Sequence, residues 1–220
     1  WDDRYRSGYL ATRLSLTDPL TAIAGARYVD VQSKGEGYGT SKDASASEVV
    51  PYVGLIYDLN DVHSVYGSYT KIFNPQTEED SNRERLDPVT GETQEVGLKS
   101  EWNDGRIYTA LVAFRADQKN LAEAAGMVGP DTIYRGTDVE SFGYEAEISG
   151  ELLPGWELTG GYTWLEIEDD EGDEIRPFTP REIFRLTTTY RPAAMEKLKA
   201  GVQVSWQDSI FRGGSGGVPK

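Results

Sequence analysis

Hydrophobic and polar residues alternate along most of this chain, most regularly over Ser141–Leu165. Phe142, Tyr144, Ala146, Ile148 and Gly150 fall on one side of an extended backbone, and Gly143, Glu145, Glu147, Ser149 and Glu151 on the other. After Leu152-Leu-Pro-Gly155 the pattern resumes: Trp156, Leu158, Gly160, Tyr162 and Trp164 oppose Glu157, Thr159, Gly161 and Thr163. Side chains alternate across a strand with period two, so the pattern predicts two strands, each with one apolar and one polar face. Pro and Gly between them set the backbone for a tight turn.

The same period recurs along the chain. About ten strands are predicted, near 4–16, 20–33, 47–58, 62–73, 93–102, 105–118, 138–151, 156–168, 181–191 and 198–211. Val96, Leu98 and Trp102 oppose Glu95, Gly97, Lys99 and Glu101. Phe184, Leu186, Thr188 and Tyr190 oppose Arg185, Thr187, Thr189 and Arg191. Leu198, Ala200, Val202, Val204 and Trp206 oppose Lys199, Gln203, Ser205 and Gln207. In 105–118 the apolar face is expected to be Tyr108, Ala110, Val112 and Phe114, although Leu111 and Ala113 blur the opposite one.

Connections alternate in length. Asp18-Pro19, Leu59-Asn-Asp61, Asn103-Asp-Gly105, Leu153-Pro-Gly155 and Pro192–Glu196 are short, whereas 34–46, 74–92, 119–137 and 169–180 are longer and polar. Tight turns on one side and long loops on the other mark an up-and-down barrel of an outer membrane. Strand length agrees, because crossing the hydrocarbon at a tilt takes about 9–11 residues against a usual five or six in soluble sheets. Trp156 and Trp164 are separated by a rise of roughly 19 Å at a tilt near 45°, which suits two aromatic girdles. Trp102, Trp156, Trp164 and Trp206 are the girdle candidates. A soluble β-sandwich binding module and a small structural or passive-diffusion barrel are the competing readings.

Composition narrows the function. A net charge of −15 argues against a nucleic-acid partner, since phosphate binding needs basic patches. The absence of cysteine removes disulfides and thiolate metal sites. His63 is the only histidine, so neither a catalytic triad nor a histidine-rich metal centre is expected, and no catalytic residue is assigned. It sits beside a short turn and reads as an interfacial residue. The acidic run Glu168–Glu174 lacks the spacing of a Ca²⁺ loop and reads as a solvated loop tip. Asn120–Ala125 is expected to form a helical turn within a long loop. Gly35-Glu-Gly-Tyr-Gly39 follows no strand–helix pattern and reads as a flexible loop.

Ser68–Gln76, Leu86–Gly91, Glu95–Lys99, Phe142–Trp156, Gly160–Trp164, Thr179-Pro-Arg181, Thr187–Pro192 and Val204–Gln207 follow one another along the chain. Together these stretches resemble TonB-dependent ferric-siderophore receptors, with the closest likeness to receptors for ferric pyoverdine and ferric coprogen. The resemblance implies an all-β fold: an antiparallel meander that is one segment of a barrel of roughly 22 strands closed by a plug. It implies residence in the outer membrane of a Gram-negative bacterium, contact with its lipid, and uptake of a ferric siderophore with energy from TonB. Iron would be carried by the siderophore, leaving no protein metal ligand and no cofactor. No plug or energy-coupling box is present in the 220 residues, so TonB is expected to act through a plug outside them. Residues 1–212 are expected to be part of the barrel and 213–220 the start of a further loop. Under this resemblance Glu145, Glu147, Glu157, Arg185 and Arg191 line the lumen and contact the plug. Tyr38, Phe73 and Tyr134 are candidates to stack on the siderophore.

Overall fold

The computed structural model describes residues 2–37, 40–41, 43–195 and 197–211. Ten long strands form one sheet: β1 (Asp2–Thr17), β2 (Leu20–Lys34), β5 (Ala44–Asp58), β6 (His63–Asn74), β7 (Val89–Trp102), β8 (Ile107–Val128), β9 (Asp131–Leu153), β10 (Trp156–Asp169), β11 (Glu182–Tyr190) and β12 (Ala200–Gln207). Two short strands, β3 (Glu36–Gly37) and β4 (Thr40–Ser41), make a separate hairpin at the β2–β5 connection. Every long strand pairs antiparallel with its neighbours in sequence, and β1 and β12 stand at opposite edges. A sandwich needs two facing sheets, and a closed ten-strand barrel needs those edges paired. Neither arrangement is present among the described residues.

Register fixes which residues share a face. One row crosses eight strands as Tyr57–Val65–Leu98–Leu111–Ala146–Tyr162–Phe184–Trp206. One residue away along each strand, Asp58–Ser64–Lys99–Ala110–Glu147–Gly161–Arg185–Ser205 runs across the other face. The first row is apolar and belongs against lipid. The second is largely polar and faces the lumen. Large apolar side chains stay exposed on the first face, Val96 at 60%, Leu111 at 57% and Val202 at 63%. In water so much exposed apolar area would be unfavourable; in a bilayer it is what the solvent requires.

Strand β8 is faced opposite to the expectation from its sequence. Leu111 pairs with Leu98 and Ala146, so Thr109, Leu111 and Ala113 meet lipid. Tyr108, Ala110, Val112 and Phe114 pair with charged, serine or glycine positions and share the polar face. Both faces of this strand are apolar at mid-height, so alternation alone does not choose between them. Pairing with Glu95–Lys99 on one side and Glu145–Glu147 on the other does.

The inner wall stays flat because aromatic rings lie over glycines. A Cβ on Gly97 would stand 2.4 Å from the Tyr66 ring, one on Gly143 2.6 Å from Phe114, and one on Gly25 3.0 Å from Tyr52. Each glycine leaves space that the ring of a neighbouring strand occupies, with close backbone approach as the compensation for a weak strand former.

Aromatic residues bound the apolar face at both ends. Near the short turns, the Trp102 indole N–H donates to Thr109 Oγ1 at 3.0 Å and that of Trp156 to Thr188 Oγ1 at 2.8 Å. His63 packs edge-on against Trp102 at 4.9 Å and shares a 2.7 Å hydrogen bond with Ser100. Toward the loops, Trp164 stacks on Tyr144 at 5.8 Å, while Trp206 sits two residues lower in register. The aromatic line thus crosses the rows diagonally, as strand tilt demands. Indole rings with an apolar body and a satisfied N–H suit the membrane–water boundary.

The loop end departs from expectation at 119–137. Instead of a loop with a helical turn, β8 and β9 continue as a paired hairpin to a turn at Gly129-Pro130. Register shifts at Gln118/Leu121 and Ala124/Gly126 interrupt it, with Asn120 at φ 61° and Gly126 at φ 138°. The alanines and bulges hid the strand signal, and cross-strand pairing overrides local propensity.

Candidate functional site

The site sits at the loop end, where strands that outrun the lipid-facing band are tied to the connections between them. The 75–88 connection after β6 is held chiefly by Gln76, whose side chain is buried. Its Nε2 donates to the carbonyls of Asp87 and Asn120, each at 2.7 Å, and its Oε1 accepts from the Ala122 N–H at 2.9 Å. Asn120 Nδ2 donates to the same Asp87 carbonyl at 2.6 Å, and the Asn120 N–H donates to the Asp138 carboxylate at 3.0 Å. The left-handed backbone of Asn120 at the bulge turns its groups toward the loop, a conformation that Asn adopts readily. Further out, the Tyr134 N–H donates to the Glu79 carbonyl at 2.9 Å, and Arg83 pairs with Asp131 at 3.2 Å.

The connection between β10 and β11 docks onto the same hairpin. Arg176 Nε reaches the Glu123 carboxylate at 2.6 Å in a half-buried pair. At the foot of this loop, Arg181 bonds Glu174 at 3.1 Å and donates to the Ile175 carbonyl. The Asp208 carboxylate accepts from the Arg181 and Glu182 N–H groups at 2.9 and 3.2 Å. The acidic run closes as a turn, with the Asp169 carboxylate accepting from the Glu171 and Asp173 N–H groups at 3.0 and 2.9 Å. Ordered connections of this kind turn polar loops into a wall with fixed shape.

A groove of about 890 Å³ opens beside this wall, lined from β6 to β10 by Lys71, Glu92, Asp117, Glu140 and Glu168 among others. Lys71, Glu92, Asp117, Glu140 and Glu168 are direct register partners on the same face as Leu98, Leu111 and Ala146, beyond the apolar rows, so charged residues stand side by side across five strands. Arg115, one row closer to the band, ties Asp117 and Glu140 at 3.2 and 2.7 Å.

The residues proposed from sequence are distributed unevenly. Tyr38 lies outside the described residues. Phe73 is a core residue: 6% exposed, it packs with Val29 and Val50. Its observed part is to anchor the strand end. Tyr134 is half-buried on the β9 hairpin and remains near the loop surface. Glu145 and Glu147 stand on the polar face across from Val112 and Ala110. Glu157 accepts from Lys199 Nζ at 3.2 Å and Thr189 Oγ1 at 3.1 Å, and Arg185 lies between Gly161 and Ser205 on that face. Arg191 is at the turn end, its N–H donating to the Gly155 carbonyl at 2.8 Å. Lys99 adds a cation–π contact to that wall, 4.5 Å from the Tyr66 ring centre.

Gln76 was the residue that sequence reasoning passed over. The only signal was its place at the end of Ser68–Gln76; nothing about a glutamine announces three simultaneous backbone bonds. Gln76→Leu removes the side-chain partner of the Asn120 carbonyl and of the Ala122 N–H, at about 1–3 kcal/mol for each group that stays buried, while the Asp87 carbonyl keeps the Asn120 amide. In the parent protein, limited proteolysis should therefore cut within 75–88 at least about tenfold faster for Gln76→Leu than for the native residue, the factor that ~1.4 kcal/mol of local opening produces. Gln76→Glu, which turns a buried carboxylate oxygen against the same two carbonyls, should be cut at least as fast as Gln76→Leu.

A family model described as "TonB dependent receptor-like, beta-barrel" matches residues 1–219. The ferripyoverdine receptor of Pseudomonas aeruginosa is 38% identical over 223 residues, covering 96% of this chain and 27% of that protein. The chain thus spans about a quarter of the length of the curated relatives it matches. Among solved structures, the pyoverdine outer-membrane receptor FpvA from Pseudomonas aeruginosa bound to pyoverdine superposes with a TM-score of 0.81 at 38% identity, over 93% of this chain and 31% of that one. The alcaligin outer-membrane receptor FauA from Bordetella pertussis gives 0.78 at 34%, over 93% and 37%. The chain belongs to the TonB-dependent receptor-like β-barrel family, whose members stand in the outer membrane of Gram-negative bacteria.

Proposed function

We propose that this chain is a stretch of barrel wall in a receptor that binds a ferric siderophore and imports it with energy from TonB. The observation that carries the reading is the 38% identity, over nearly the whole chain, to a receptor named for ferripyoverdine. The loop end supports it, because a binding wall must be held in shape before ligand arrives if ordering it is not to weaken binding. The work is binding and transport, and no reaction is assigned. Iron is held by the siderophore's own donor atoms. In this reading the charges Glu145, Glu147, Glu157, Arg185 and Arg191 meet a plug supplied by another part of the parent protein, and that plug is the element TonB engages.

The 75–88 connection tests the reading. Deleting 77–86 from the parent receptor, with a short Gly-Ser bridge, should weaken binding of ferric pyoverdine at least about tenfold, a loss of roughly 1.4 kcal/mol. The amount of receptor in the outer membrane should not change, because the deleted residues lie beyond the lipid-facing rows. Binding is read by quenching of intrinsic tryptophan fluorescence on titration with the chelate. Unaltered affinity for every ferric chelate the host uses would remove this connection from the site.

A further inference from the structure

The β10–β11 connection bends over the polar face of the sheet. Arg176 in this connection pairs with Glu123 at 2.6 Å. Glu123 stands opposite Arg135 in register, and Arg135 keeps step along β9 with Glu145 and Glu147. Arg176 has a left-handed backbone at φ 58°, which a residue other than glycine keeps only where its surroundings impose it. Two residues on comes Phe178. The Arg176 guanidinium lies over its ring, 5.6 Å from the ring centre, and the residue is still 51% exposed. The chain after β12 runs alongside: the Phe211 N–H donates to the Pro177 carbonyl at 2.8 Å, and Ile210 and Phe211 are also exposed. All three apolar residues lie past the strand ends at Asp169, Glu182 and Gln207, outside the rows that meet lipid.

We propose that Phe178 is a contact residue for the ferric siderophore, its ring stacking on the aromatic chromophore of the chelate. The proposal rests on the siderophore reading above and names one residue of that site. Phe73, the aromatic residue singled out by its place at a strand end, is packed into the core, whereas Phe178 stands open at the barrel mouth. A large ring held open to water is unfavourable until something covers it. A chromophore brings a flat apolar face together with the negative oxygens that hold iron. The Phe178 ring suits the face, and a guanidinium beside it suits the oxygens. Little ordering is left to do on binding, because the Arg176–Glu123 pair and the Phe211–Pro177 bond already fix the turn. Arg176 is thus a positioning residue for the ring.

The test replaces Phe178 of the parent receptor with the photoreactive p-benzoylphenylalanine. Outer membranes carrying it are loaded with ferric pyoverdine and irradiated, and the adduct is identified by mass spectrometry. The expected adduct is the chelate. Phe178→Ala should weaken ferric pyoverdine binding about tenfold, and Phe178→Trp, which keeps an aromatic face, should stay within about twofold of native. Both should reach the outer membrane in native amounts. An adduct with a peptide of the receptor itself, such as the plug or a neighbouring loop, would overturn the proposal. So would irradiation that yields no adduct, or native affinity in Phe178→Ala. A native receptor that does not bind ferric pyoverdine would overturn the siderophore reading together with this proposal, which separates the two failures.

Discussion

Leu111→Arg is expected to cost the parent barrel about 2–4 kcal/mol of folding stability, and Val112→Arg far less. The two residues are neighbours of similar size and character on one strand. Leu111 lies in the row Leu98–Leu111–Ala146, midway between the aromatic boundaries, so a guanidinium there must be taken into hydrocarbon. Val112 lies between Gly97 and Glu145 on the lumen face, where water and a carboxylate are at hand. Urea titration of the receptor in lipid vesicles, followed by heat-modifiable mobility, measures both. Equal losses would mean that β8 is not faced as described, and a larger loss at Val112 would restore the facing expected from the sequence.

Gly143→Val should be strongly damaging on the lumen side, at about 3 kcal/mol. Its Cβ would lie 2.5 Å from the Trp164 carbonyl oxygen as well as 2.6 Å from the Phe114 ring. A ring can swing away; a carbonyl inside a paired ladder can move only by breaking register. Gly161→Val is the control, because it is on the same face and its Cβ would meet only the Ala146 carbonyl oxygen at 3.8 Å. That change should be nearly neutral, or slightly stabilising through the strand preference of valine. The same urea titration separates them, and comparable effects at the two positions would show that the close approach at Gly143 does not constrain the wall.

The hairpin β9–β10 was legible because charge marks one of its faces. Glu145, Glu147 and Glu157 cannot share a side with Tyr144, Ala146 and Leu158 without burying charge in lipid, so the alternation had one solution. Strand β8 had no such marker at mid-height, and only register with β7 and β9 settles it. The connections after β6 and β10 were legible as polar and long, but their order was not. Gln76, Asn120 and Arg176 act through backbone carbonyls and a partner 53 residues away, and no local pattern encodes a contact at that separation. Phe73 was ambiguous for a related reason. An aromatic residue at a strand end serves equally as a ligand platform or a core anchor, and its partners, Val29 and Val50, come from strands remote in sequence.

The most direct test of the central claim, that this chain is lipid-embedded barrel wall with one face outward, is a spin-label scan along β9. The chain contains no cysteine, so single cysteines at 142–149 of the parent receptor can be labelled one at a time, once any cysteines elsewhere are replaced. Collision with oxygen and with a water-soluble nickel chelate is then measured in vesicles. Positions 142, 144, 146 and 148 should favour oxygen, with the strongest preference near Ala146, while 143, 145, 147 and 149 should not. Nickel accessibility at Ala146, oxygen preference at Glu147, or no two-residue period at all would contradict the account.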